Sequence, residues 1–128
     1  MTSQEKTQLL ALFDNVGKWC QGCEALDPSG SAVRYDDETA AAWDIVGGMC
    51  HLFGWRRARE LFGQLHRHIS GRQRTHCDPN EDITAMAALF DFNDALDTTY
   101  EKVVATLEGL PVWRGRPSSM GRNLMCET

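Results

Sequence analysis

The sequence predicts an all-α fold: a compact single-domain bundle of four or five helices over residues 1–110, with a short strand near 33–35 and a tail over 111–128. Three observations carry that prediction. Apolar residues recur at three- and four-residue spacing in separate blocks, as in helices that bury one face. Capping residues stand at the starts of the blocks and glycines at their ends. From Pro111 onward the composition turns to Pro, Gly, Ser and Arg, with Trp113 the one large aromatic residue.

Taken in order, Thr2-x-x-Glu5 is a capping box for a first helix through Leu9, Leu10, Phe13 and Val16, stopped by Gly17. Asp27-Pro28-Ser29-Gly30 is turn chemistry, because proline fixes φ and glycine accepts a positive φ. Val33 to Tyr35 is the candidate strand. Asp36 or Asp37 is expected to cap a second helix through Ala40, Ala41, Trp43, Val46 and Cys50, whose Gly47 and Gly48 imply a close helix–helix approach. Gly54 separates it from a third helix with a stripe of Ala58, Leu61, Phe62, Leu65 and Ile69, which Gly71 ends. Arg72 to Cys77 is read as an exposed loop. Asp78-Pro79-Asn80-Glu81 restarts helix, with Ile83, Met86, Ala87, Leu89 and Phe90 as its apolar face. An acidic connection from Asp91 to Asp97 precedes Thr98-x-x-Glu101, another capping box, and a last helix through Tyr100, Val103, Val104 and Leu107 closes at Gly109 and Pro111.

Composition bounds the function. A chain of 128 residues and 14.4 kDa is long enough for one core, burying about two-thirds of its unfolded surface. Hydrophobic content of 42% and charged content of 24% argue against wholesale disorder. A net charge of -5 argues against a general polyanion binder. There is no apolar run long enough for a membrane span. The start MTSQEKTQLL lacks the basic and apolar regions of a secretory signal, and the expected location is the cytoplasm.

The charge is unevenly spread. Six arginines (56, 57, 59, 67, 72 and 74) against Glu60 put +5 between Trp55 and Cys77, leaving -10 elsewhere, and His51, His66, His68 and His76 lie in or beside that stretch. Such polarity suits an acidic protein partner or a nucleic-acid strand; the expected partner is a protein or a ribonucleoprotein complex, with nucleic acid the alternative. The candidate contacts are of two kinds. Asp36, Asp37, Glu38, Asp91, Asp94 and Asp97 are anionic, whereas Arg56, Arg59 and Arg67 form a cationic face with Trp55 as an aromatic anchor. The bland reading is a solvated surface in which these charges pair with one another. Oligomeric state is left open, since Gly47 and Gly48 suit a dimer contact as well as an internal one.

Five cysteines, an odd number, fit a reducing compartment. Cys20-x-x-Cys23 with Cys50-His51 and His76-Cys77 supplies zinc-ligand types, but the second half lacks paired spacing, so no cofactor is expected and zinc is the alternative. Dithiol redox chemistry is a lesser reading, because no buried strand precedes the pair. A nucleophilic enzyme would need a cysteine beside a base. Cys50 and His51 are helix neighbours that point apart, and there is no phosphate loop, serine elbow or His-Glu-x-x-His pattern.

Several landmarks carry a resemblance. Trp19-x-Gln21-Gly22, Asp27-x-x-Gly30, Ala41-x-Trp43 with Gly47, and Phe92-Asn93-Asp94 followed by Thr98, Glu101 and Val103 occur in order. Together, over roughly residues 15 to 110, they resemble a family of small uncharacterised proteins of bacteria and their phages, with the pattern W-x-Q-G, D-x-x-G, W-C-x-x-G-A and W-N-D. Asp44 stands where that pattern has cysteine, and Phe92 where it has tryptophan. The landmarks read as turn-fixing and capping groups, with Gln21 serving the Asp27 loop and Asn93-Asp94 preceding a helix. Alternatively, Trp19, Gln21, Asp44, Asn93 and Asp94 surround one polar pocket.

The expected function is that of a non-catalytic binding protein. The phage setting, implied only by the resemblance, extends this to an inhibitor of a host defence complex such as a CRISPR effector, with acidic faces imitating phosphate charge. One alternative is nucleic-acid binding through the arginine-rich helix and the tail residues Arg114, Arg116 and Arg122. The other is a small cysteine/histidine-dependent hydrolase or transferase.

Overall fold

A computed structural model of the chain describes residues 1–71 and 81–112. Among the described residues, four α-helices, α1 (Ser3–Leu12), α2 (Ile45–Ser70), α3 (Glu81–Asp94) and α4 (Tyr100–Glu108), accompany a 3-10 turn at Val16–Lys18 and three short strands. The strands are β1 (Ala25–Leu26), β2 (Ala32–Val33) and β3 (Ala42–Trp43), antiparallel in the order β2-β1-β3. Ala25 lies opposite both Val33 and Trp43. The all-α expectation is therefore wrong: the molecule is mostly helical with a small antiparallel sheet between α1 and α2 in the chain.

The correction has a local cause. Residues 40–44, expected to begin the second helix, are extended because the Ala41 amide donates to the Leu26 carbonyl at 2.7 Å and the Asp44 amide to the Glu24 carbonyl at 3.2 Å. The helix starts only where Asp44 caps it, accepting the Gly47 amide at 2.6 Å. Asp36 and Asp37 cap no helix. Asp36 pairs with Arg34, and Asp37 accepts the Thr39 amide at 2.8 Å. The hairpin β1–β2 turns on Asp27, whose Oδ1 accepts the amides of Ser29 and Ser31, each at 2.9 Å. The strand expected near 33–35 is found at 32–33.

Helix α1 stops at Leu12, capped by Phe13, short of the expected Val16 and Gly17, which lie in the 3-10 turn; some other boundaries follow the reading. Thr2 and Glu5 form the capping box of α1. Gly54, at φ 81° and ψ 158°, breaks α2 into two halves, and Gly71 ends it in a left-handed conformation. Two further expectations fail. Helix α3 continues through Asp94, so Asp91 to Asp94 are helical. The cap of α4 is Thr99, which accepts the Lys102 amide, whereas Thr98 is buried and donates to the Phe92 carbonyl at 2.6 Å. The proposed Asp78-Pro79 start and nearly all of the 111–128 tail lie outside the described residues.

The core is built from Leu9, Phe13, Ile45, Met49, Phe62, Leu65, Leu89, Val103, Leu107 and Leu110, all fully buried. Of the face expected on α3, Ile83 is instead 61% exposed, and the buried row is Ala85, Leu89 and Asn93 at four-residue spacing. Helices α2 and α3 lie antiparallel, since Arg67 meets Glu81 at one end and the Ile45 amide meets Asn93 at the other. Gly48 does serve a close approach to another helix, the end of α1 at Leu12 and its cap Phe13, whereas Gly47 closes on the Glu24 backbone. A Cβ on Gly47 would stand 2.1 Å from the Glu24 carbonyl oxygen, and one on Gly48 2.7 Å from the Phe13 ring.

Candidate functional site

Two features compete for function: a buried polar junction and an open groove. The junction joins the segment before β1 to the end of α3. Asn93, fully buried, accepts at Oδ1 from Trp19 Nε1 at 2.8 Å and from the Ile45 amide at 3.0 Å. Its Nδ2 donates to the Cys20 carbonyl at 3.0 Å and to Asp94 Oδ1 at 2.9 Å. Gln21 Nε2 donates to the Asn93 and Ala95 carbonyls at 2.8 and 3.2 Å, and the Gly22 amide donates to Asp94 at 3.0 Å. Gln21 thus serves the end of α3, not the Asp27 loop, and Asn93 and Asp94 close a helix instead of opening one.

Trp19, Gln21, Asp44, Asn93 and Asp94 do gather at this junction, with Trp19, Gln21, Asn93 and Asp94 spent on internal hydrogen bonds. Asp44 is only 1% exposed; apart from the Gly47 amide its carboxylate has no hydrogen-bond partner among the described residues. Burial pushes its carboxyl up to about 7, against the pull of the Gly47 amide and with help from Asp94 and Glu24. Burial likewise pushes the thiols of Cys20 and Cys50 up to about 12. Such thiols are held protonated near neutral pH and are poor nucleophiles. His51, the neighbour of Cys50, is exposed and stacks on Trp43 with ring centroids 4.5 Å apart. Among the described residues no three His, Cys, Asp or Glu side chains are arranged to hold a metal, and His76 and Cys77 lie outside them.

Residues 9–110 match the model of a family of unknown function, DUF6197. The chain belongs to DUF6197. No curated protein and no solved structure matches it. The site of this DUF6197 chain is therefore read from its own geometry.

The groove, of about 990 Å³, is lined by Cys23, Glu24, Ala32, Val33, Arg34, Tyr35, Asp37 and Trp55. Hairpin β1–β2 supplies one wall, and the second half of α2, redirected at Gly54, supplies Trp55. The Trp55 ring is 45% exposed, sits edge-on to Phe62 at 6.1 Å, and carries the Arg59 guanidinium 5.8 Å from its centroid. Glu24 takes the Tyr35 amide at 2.8 Å, which ties the floor of the groove to its wall.

Of the sequence-predicted contacts, the groove brings together Trp55 and Asp37, with Asp36 adjoining. Arg59 pairs with Asp82, and Arg67 with Glu81. Arg57 pairs with Glu5 and Glu60. Arg56 is exposed and without a partner among the described residues. The arginine face is thus largely neutralised within the fold. Glu38 and Asp91 are exposed and unpaired among the described residues, Asp97 stands 3.9 Å from Lys102, and Asp94 serves the junction. Sequence reasoning missed Tyr35 and Glu24. For Tyr35 the signal was present in the extended residues that follow the Asp27-Pro28 turn, where alternation puts every second side chain on one face; Glu24, before the turn, carried none.

Proposed function

We propose that this DUF6197 protein is a non-catalytic binding protein that engages a macromolecular partner through the Trp55–Tyr35 groove. One observation carries the reading: a large aromatic side chain stands half exposed at the wall of an open groove, with Arg59 stacked over it. Tryptophan and arginine in such settings contribute most of the binding energy of protein interfaces. Glu24 and Asp37 line the groove, while Arg34 is paired with Asp36. The occupant that suits it is a protein segment with apolar and basic side chains.

The finer form of this reading is an inhibitor of a host defence complex in a bacterial or phage setting. Glu38 and Asp91 support it as unpaired anionic contacts for an arginine-rich effector such as a CRISPR complex. Nucleic-acid binding is favoured less, because Arg57, Arg59 and Arg67 already hold carboxylates. The deciding experiment is affinity capture from the native host with the wild-type chain and with Trp55→Ala, followed by mass spectrometry. A partner retained by the first and lost by the second supports the groove. Equal capture by both, or recovery of nucleic acid alone, removes it.

A further inference from the structure

We propose that Cys20 and Cys23 are a reversible redox pair, closed to an intrachain disulfide by small disulfides of the glutathione class. The two residues bracket one turn, Cys20-Gln21-Gly22-Cys23, which Gly22 folds at φ 86°. Cys20 Sγ donates to the Cys23 carbonyl at 3.6 Å, and Cys23 Sγ donates to the Ala25 carbonyl at 3.4 Å. A turn of this span holds its end residues within the separation a disulfide needs. Access differs across the pair. Cys23 is half-buried and lines the open groove, whereas Cys20 is buried.

That asymmetry orders the chemistry. The Cys23 thiolate attacks one sulfur of glutathione disulfide, forming a mixed disulfide and expelling one glutathione thiolate. Cys20 then gives its proton to solvent, and its sulfur attacks the Cys23 sulfur, expelling the second glutathione thiolate. In sum, two protein thiols lose two electrons and two protons, and one glutathione disulfide becomes two thiols. Burial, the Cys23 thiol and the carboxylates of Asp44 and Asp94 all oppose a thiolate at Cys20, so the closing step is slow near neutral pH and quickens as pH rises. The finished disulfide carries no charge and suits the buried side of the turn.

The pair sits where a redox change has consequences. The same turn holds α3 through Gln21 and Gly22, and its Cys20 carbonyl accepts from Asn93. Closing the disulfide therefore acts on the junction, and it also removes a thiol from the groove wall. The redox chemistry stands independently of the binding reading.

The test is oxidation of the full chain in glutathione disulfide, followed by trypsin digestion and mass spectrometry. The tryptic peptide 19–34 contains Cys20 and Cys23 and no other cysteine. The expected product is that peptide lighter by two hydrogens, formed up to about tenfold faster per pH unit between about pH 7 and 9 while Cys20 limits the rate. Cys20→Ser should trap a lasting glutathione adduct on Cys23, and Cys23→Ser should leave Cys20 unmodified. A wild-type peptide that stays reduced, or that carries a glutathione which never resolves, overturns the proposal. So does a disulfide joining either residue to Cys50, Cys77 or Cys126.

Discussion

Trp19 and Asn93 meet through a 2.8 Å hydrogen bond from the indole Nε1 to the side-chain Oδ1, across the seam between the pre-strand segment and the end of α3. The same oxygen takes the first amide of α2, at Ile45, and the amide nitrogen spans Cys20 and Asp94. One fully buried side chain therefore joins three separate stretches of chain. Replacing it with alanine leaves buried donors at Trp19 and Ile45 without their acceptor, the costly case for hydrogen bonds. Asn93→Ala should lower unfolding stability by about 3 kcal/mol, read as a reduced urea midpoint. A loss no greater than that of an exposed α3 substitution, such as Thr84→Ala, would mean the junction is held some other way.

Asp44 sets a pH dependence opposite to that of most carboxylates. Burial raises its folded value from 3.8 to about 7, so between those values the native state keeps a proton that the unfolded chain has released. Stability from this group is full below the unfolded value and is lost as pH rises through about 7. The urea midpoint should fall from pH 5 to pH 8, by roughly 2–3 kcal/mol in stability from this group. Asp44→Asn keeps an acceptor for the Gly47 amide, since asparagine caps helices as well as aspartate does. The variant should flatten the profile and be the more stable chain at pH 8. An unchanged slope would remove Asp44 as its source.

Glu5 acts with the opposite sign. The Arg57 guanidinium bonded to both its oxygens, at 2.7 and 2.9 Å, holds its carboxyl down to about 2, with the Thr2 amide adding to the effect. Its contribution is present above the ordinary value of 4.5 and is lost as pH falls toward 2. Arg57 is 38% exposed, so solvent screening limits the contribution to about 1 kcal/mol. Glu5→Gln retains the capping box, because glutamine also reaches back to the Thr2 amide. It should cost that amount near neutral pH and lose less stability than wild type between pH 5 and 2, measured by thermal unfolding.

The features that could be read from the sequence are those decided within one turn of chain. Thr2 and Glu5 cap α1, Gly54 breaks α2, and Gly71 ends it, each from neighbours a few residues away. The sheet beyond β2 was not legible, because Ala40 to Trp43 have helical spacing and become extended only by pairing with β1. Asn93 was misplaced for a related reason. The acidic run from Asp91 to Asp97 looks like a connection, yet Leu89 and Asn93 share a buried helical face whose partner, Ile45, lies far away in sequence. The arginine cluster gave a local charge without its neutralising carboxylates, which come from α1 and the first turn of α3. The groove needed tertiary structure outright, since β2 and α2 form its walls.

Two glycines of α2 should respond to the same substitution for different reasons. Gly47 has a helical conformation but no room: an alanine Cβ would lie 2.1 Å from the Glu24 carbonyl oxygen, which already accepts the Asp44 amide. Relief requires moving backbone at the β1–β3 seam, so Gly47→Ala should destabilise by about 3 kcal/mol or more. Gly54 has room but a conformation closed to other residues, with nothing within 4 Å of its Cβ position at φ 81°. Gly54→Ala bears only backbone strain, about 1–3 kcal/mol. The chain can relieve that strain by straightening α2, which would carry Trp55 away from Tyr35. Gly54→Ala should therefore weaken partner capture beyond what its stability loss explains, whereas Gly47→Ala should reduce stability more strongly. Urea midpoints and capture assays on both variants read the two effects separately. Capture unaffected by Gly54→Ala would show that the bend in α2 does not position the groove.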